Sequence, residues 1–411
     1  MEMKTTTKDS CGTIFSFLAA SVPVILGIFI FLIPIPHTTT IKGICYYLSV
    51  SLVVVLFSFR KIHFSFRTPL ALSGIIFVAW CFFGLFSAVN TANSAHDLYA
   101  HLLKYIFLYF ILVNFFDSTR KLFLLSWIII CSSTGLFVWS LYYFYVTLGN
   151  PLTTRFGACY TEVPTNVIGI IAGISIILGI YNTFQAKGWV RKVFFSSCLL
   201  PAFAVIFLTQ TRGALLALFL ALVVLLSERK KMLVGIMLLA GGVLLVSPAA
   251  NRFTINETEN VRSKQALLVW EVVKDYPITG IGFGMQTFGK NLDLHNYNAK
   301  LPEKLQKQEI LLDPHNMYTD ITVRTGIPGI VLFFGVIFSF FRMLWQLKRH
   351  GENESIAPWA TAVLASGIPF FIIGFFDPVF SHYPESIQCV IFAMGTILWR
   401  INEDSKLSVT A

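Results

Sequence analysis

The sequence predicts an all-α, polytopic integral membrane protein of about twelve transmembrane helices with one large loop on the translocated side. Three observations predict it. The 411 residues are 55% hydrophobic and only 13% charged, with a mean hydropathy of +0.71, whereas soluble domains carry roughly 25% charged residues. Apolar runs of the length a bilayer requires, about 20 residues, recur along the chain. No ten-residue alternating pattern repeats, which argues for a helical bundle and against a barrel. This composition excludes a secreted disulfide scaffold, a disordered chain and an ordinary cytosolic enzyme.

Taken in order, the runs place spans near 14–33, 41–59, 70–89, 98–116, 122–148, 165–185, 192–208, 211–227, 232–250, 325–347, 358–376 and 386–400. Residues 1–250 thus carry spans one to nine, 251–324 form the large loop with amphipathic helices, and 325–411 carry the last three spans and a tail. Lys4 and Lys8 precede the first run, which is too long for a cleaved signal and reads as a retained first span. The seven cysteines are scattered in or beside spans without a CxxC and point to neither metal nor disulfides. Lys104 stands alone among lysines and arginines well inside a span, where it either snorkels or pairs with Asp97.

The basic residues predict the orientation. Alternating connections hold eighteen lysines and arginines on one side, against Lys42, Arg155 and Arg212 in the short loops opposite. The positive-inside rule places the rich side, with both termini, in the cytoplasm and the 251–324 loop outside. The net charge of +10 is therefore a topology signal and not a nucleic-acid footprint.

Chemistry then has to be sought on the poorly charged face. Arg212 closes a tight hairpin, Thr209-Gln210-Thr211-Arg212-Gly213. Thr211 or Thr209 is placed to cap the next helix, whose N-terminus favours an anion. Position alone fits two roles for Arg212, a guanidinium snorkelling to lipid headgroups and a bidentate phosphate ligand. Arg262 opens an amphipathic helix with Ala266, Leu267, Trp270 and Val273 on one face, suited to lying on the membrane or on the bundle. Gly280-Ile281-Gly282-Phe283-Gly284 lacks the strand–turn–helix context of a nucleotide loop and reads as a tight turn approaching the bundle. In Asp313-Pro314-His315-Asn316-Met317-Tyr318-Thr319-Asp320 the spacing predicts a helix capped by Asp313, with Pro314 at its first position and His315, Tyr318, Thr319 and Thr322 on one face. Gly326-Ile327-Pro328-Gly329 breaks or bends it. A neutral imidazole at a helix N-terminus near arginines suits a general base. No DxD, HExxH, GxSxG, Walker or EF-hand pattern occurs, so neither metal nor nucleotide cofactor is expected.

The pattern resembles a family. Thr-Arg-Gly-Ala-Leu-Leu opening a span, Arg262 eight residues before Trp270, Pro-Ile-Thr-Gly-Ile-Gly-Phe-Gly, and Pro-His-Asn-Met-Tyr resemble the bacterial O-antigen ligase and polymerase superfamily. His315-Asn316 followed by Gly326 and Gly329 reproduces the HN-x9-G-x-x-G run of its ligase branch. Arg155-Phe156-Gly157 and Pro164-Thr165-Asn166 resemble a weaker Arg…Gly…Pro-Asn element, with Thr165 interrupting it.

The resemblance implies a GT-C-like helical membrane transferase of the bacterial inner membrane. It would move O-polysaccharide from undecaprenyl pyrophosphate onto the lipid A–core at the periplasmic face, without metal or ATP and with inversion. His315 would be the general base, Arg212 and Arg262 would hold the pyrophosphate, and Arg155, Asn316 and Tyr318 would contact substrate. A polymerase acting on the same donor is the nearest rival; it tends towards two sizeable outer loops, whereas the earlier outer loop here spans only Gly149 to Pro164. A transporter or flippase would need ionisable groups or broken helices at mid-membrane, or an inverted repeat.

Overall fold

The computed structural model describes residues 6–157, 163–232, 234–235, 258–351, 354–379 and 382–410. Every regular element among them is helical, as lipid requires of an open chain. The chain is a polytopic helical membrane protein. The helices of the bundle are α1 (Thr6–Leu32), α2 (Thr39–Ser58), α3 (Ala71–Phe83), α4 (Thr91–Asp97) running through a π-helical turn into α5 (Lys104–Phe115), α6 (Thr119–Leu141), α7 (Thr165–Gln185), α8 (Trp189–Leu208) and α9 (Arg212–Leu225). After the long insertion come α14 (Met317–His350), α15 (Ile356–Ile373) and α16 (His382–Thr410).

Eight helices among the described residues are long and apolar enough to cross a membrane, fewer than the twelve spans expected. The expected third and eighth spans are shorter apolar helices, Ala71–Ser87 and Arg212–Leu225. The expected twelfth lies within α16, where Glu385, Gln388 and Arg400 interrupt the apolar run. Most of the expected ninth span, 232–250, falls outside the described residues.

Helix α7 is the central post, buried along nearly its whole length. Small residues make this possible: a Cβ on Gly169 would lie 2.7 Å from the Ala214 Cβ of α9, and one on Gly173 would lie 3.0 Å from Pro369 of α15. Close backbone approach through such positions substitutes for the missing hydrophobic drive between helices in lipid. Lys104 stands over the rings of Tyr46 (5.4 Å) and Tyr105 (5.9 Å). Asp97 instead accepts hydrogen bonds from Asn93 and the Met285 amide and meets His96. The lysine is therefore held by cation–π contacts and not by the aspartate.

The insertion folds into α10 (Thr258–Asp275), α11 (Thr287–Asn291), α12 (Leu294–Ala299) and α13 (Glu303–Gln306) around its own small core, which includes Leu268, Val269, Val272, Val273, Phe288 and Leu294. This corrects the expected face of α10. Leu268, Val269, Val272 and Val273 point inward, while Leu267 and Trp270 are exposed. The run from Ala266 to Val273 is apolar almost throughout, so periodicity alone does not select a face.

The glycine-rich segment is the tight turn expected of it. Ile281 pairs with both Val323 and Val89 through its backbone, and the Phe283 carbonyl accepts from the Arg324 guanidinium at 2.6 Å. The break in α14 falls at Gly326 (φ 72°, ψ −179°), a conformation essentially reserved for glycine. A Cβ there would overlap the Ile278 carbonyl. Gly326→Ala is therefore expected to cost at least about 3 kcal/mol, seen as a lowered thermal transition of the detergent-solubilised protein. Gly335→Ala on the same helix, where a Cβ meets nothing within 4 Å, should leave the transition in place.

Candidate active site

Four helix ends meet at one end of the bundle. These are the N-termini of α7, α9 and α14 and the segment Gly374–Asp377 that follows α15. Gly213 packs so closely on Phe376 that a Cβ would lie 2.7 Å from its ring, so the start of α9 meets the segment that carries Asp377. The Met317 amide donates to the Gly374 carbonyl (2.7 Å) and Asn316 Nδ2 donates to the Phe375 carbonyl (3.0 Å). The start of α14 is thus pinned to the same segment.

Asp377 is the hub of this arrangement, and sequence reasoning missed it. The Asn166 side chain at the start of α7 hydrogen-bonds to its carboxylate, and His315 and Arg262 act on it electrostatically. His315 Nδ1 lies 4.0 Å from Asp377 Oδ1, longer than a hydrogen bond. Burial pushes the Asp377 carboxyl up from the usual carboxylate range, against the Asn166 bond and the His315 and Arg262 charges, which pull it down. The available signal was small: a lone acid closing an apolar span before a proline, Phe375-Phe376-Asp377-Pro378.

His315 sits differently from expectation. The N-cap of α14 is Asn316, whose Oδ1 accepts from the Tyr318 (2.8 Å) and Thr319 (3.2 Å) amides. Asp313 and Pro314 lie before the helix, so Asp313 is not the cap and His315 does not share a helical face with Tyr318, Thr319 and Thr322. His315 instead occupies the left-handed region (φ 52°) just outside the helix, its side chain 39% exposed. Gln210 in the α8–α9 hairpin is also left-handed (φ 49°). Such backbone strain persists where surrounding contacts over-determine it, often at functional sites.

The arginines surround this centre. Arg155 holds the hairpin: its Nε donates to the Thr209 carbonyl (2.8 Å), and its Nη2 reaches the hydroxyls of Thr165 (3.2 Å) and Thr211 (3.4 Å). Thr211 occupies the N-cap position of α9, but its hydroxyl turns to the Thr209 carbonyl (3.3 Å), and no side chain caps that helix. This corrects the expected threonine cap. Arg212, the first residue of α9, is exposed and makes no hydrogen bond or ion pair with another described residue. Arg262, near the start of α10, is also exposed and close enough to act on Asp377. Three guanidinium groups beside uncapped helix amides make a field suited to a phosphate or pyrophosphate.

Asn316 and Tyr318 are committed inward. Besides capping α14, Asn316 ties to Phe375; Tyr318 donates to the Phe371 carbonyl (2.8 Å) and lies against Phe334 and Phe375. Their contacts tie the start of α14 to the end of α15 and the segment that carries Asp377.

Residues 197–334 match the family model described as O-antigen ligase. The match takes in Arg212, Arg262, His315, Asn316 and Tyr318, while Arg155, Asn166 and Asp377 lie outside it. No curated protein matches the chain. Over this third of the chain, from 197 to 334, the protein is similar to the O-antigen ligase family.

Proposed function

We propose that this protein is an O-antigen ligase that moves a polysaccharide from undecaprenyl pyrophosphate onto the lipid A–core. The observation that carries the reading is the His315–Asp377–Asn166 set at four converging helix ends, bordered by Arg155, Arg212 and Arg262. Asp377 favours the His315 tautomer with a proton on Nδ1, leaving Nε2 to take the proton of an acceptor hydroxyl. The hydroxyl oxygen then bonds to the anomeric carbon as the bond from that carbon to the pyrophosphate oxygen breaks. The electron pair leaves with the pyrophosphate, where the exposed Arg212 and Arg262 meet the developing charge. One direct displacement inverts the anomeric centre. Chain residues supply each of these roles, so the reading invokes neither metal nor ATP.

In this reading the site and the 251–324 insertion face the periplasm of a Gram-negative cell, with both termini in the cytoplasm, in keeping with the eighteen-to-three bias of basic residues. The chain then divides into nine spans over 1–250, the insertion, and three spans over 325–411. The test is a ligase-deletion strain complemented with wild type or Arg212→Ala. Lipopolysaccharide capped with polymer only in the wild type, with long lipid-linked polymer accumulating in the variant, is the expected result. Loss of the long polymer itself would overturn the ligase reading in favour of a polymerase.

A further inference from the structure

The strained His315 needs to be held from both sides. Downstream, Asn316 fixes the chain through the α14 cap and the Phe375 carbonyl. Upstream, residues 307–316 contain no regular element, so the hold comes from elsewhere. It comes from α10. Lys264 is fully buried, and its Nζ donates to the carbonyls of Gln306 (3.4 Å) and Gln308. Gln265 is 1% exposed, and its Nε2 donates to the carbonyls of Leu311 (3.1 Å) and Asp313 (2.8 Å). Two adjacent side chains therefore lace α10 to the segment that delivers the histidine. Arg262 lies one helical turn before Gln265, and both it and His315 act on Asp377, so the same lacing relates the arginine to the histidine.

We propose that Gln265 is a positioning residue, which holds His315 in register with Arg262 by donating both amide hydrogens to the backbone two and four residues before it. This rests on the reading of His315 as the base. The second half of the carboxamide makes the idea sharp: Gln265 Oε1 is buried and accepts no hydrogen bond. Only the donor half is used. A buried residue that donates two N–H groups and accepts none should replace Gln265, whereas an isosteric residue that only accepts would face two carbonyl oxygens with like partial charge. Lys264 already makes the donor-only arrangement one position earlier.

The test compares Gln265→Lys, Gln265→Met and Gln265→Glu in the full chain in lipid nanodiscs. Transfer kinetics are followed across pH, together with the 13Cε1-histidine resonance of His315, assigned by its loss in His315→Gln. For Gln265→Met and Gln265→Glu we expect a drop in kcat of about 10- to 100-fold, the scale of a displacement of about 1 Å. KM should change little, the pH profile should move, and the His315 resonance should shift. Gln265→Lys should keep the wild-type profile and resonance. Wild-type behaviour of Gln265→Met or Gln265→Glu, or a Gln265→Lys protein that behaves as Gln265→Met, overturns the proposal, the latter even where Gln265→Glu fails to fold. Should wild type catalyse no transfer, the reading of function fails, and the resonance still decides whether Gln265 positions His315.

Discussion

Replacing His315 by glutamine is expected to lower the transfer rate by about 100- to 10,000-fold, the usual contribution of a positioned general base, with little change in KM or in thermal stability. Glutamine keeps hydrogen-bonding capacity but cannot carry the proton. The fold has little stake in the side chain, which is 39% exposed and lies 4.0 Å from the Asp377 carboxylate. Asp377→Asn offers the complementary dissociation. Folding raises the carboxyl of Asp377, chiefly through burial. A group whose folded pKa lies above its unfolded one stabilises below the unfolded pKa, and that contribution is lost as pH rises through the folded pKa. Above its folded pKa the ionised Asp377 is therefore a net cost to the fold. An asparagine, still able to meet Asn166, should leave stability equal or higher while transfer falls, because the imidazole loses the charge that orients it. Thermal transitions and single-turnover rates on the two variants check both halves. A stability loss in Asp377→Asn as large as its loss of rate would assign the residue to the fold and not to the chemistry.

Parts of this arrangement are legible in one sequence because they are locally extreme. Gly326 and the 280–284 glycines announce backbone that no other residue adopts or space that a Cβ would fill, and both readings agree with the structure. Arg212 stands out because an isolated guanidinium at the translocated end of an apolar helix has few innocuous explanations. What is illegible depends on partners far apart in the chain. Asp377 acquires its meaning from Asn166 and His315, and no spacing rule links a carboxylate after one span to an amide before another. Local sequence leaves the start of α14 open, because Asp313-Pro314 and Asn316 are both competent helix openings. The choice falls to Asn316 through the Phe375 carbonyl and the Gln265 hydrogen bonds, tertiary contacts that local preference does not register. The inward face of α10 is settled in the same way, by the four carbonyls that receive Lys264 and Gln265.

Arg212→Lys separates the two roles that position alone allows its side chain. If the guanidinium only snorkels to headgroups, lysine does the same and activity is kept. If it grips a leaving pyrophosphate, the planar fork matters, and lysine presents a compact ammonium that cannot reproduce two parallel hydrogen bonds. The expected loss is then about 100-fold in kcat, comparable with removing one preorganised donor from an anionic transition state. Thermal stability should not change, since Arg212 is exposed and makes no hydrogen bond or ion pair with another described residue. Arg155→Lys is the informative contrast. Arg155 spends its guanidinium on the Thr209 carbonyl and on the hydroxyls of Thr165 and Thr211, so its replacement should lower the thermal transition along with the rate. The hairpin would then be loosened from both α7 and the start of α9, moving the Arg212 backbone with it. A pair of variants in which rate falls without stability at Arg212, and with it at Arg155, would place the first on the substrate and the second behind it. Near-full activity in Arg212→Lys would remove the bidentate grip and leave Arg262 and the helix amides to carry the leaving group's charge.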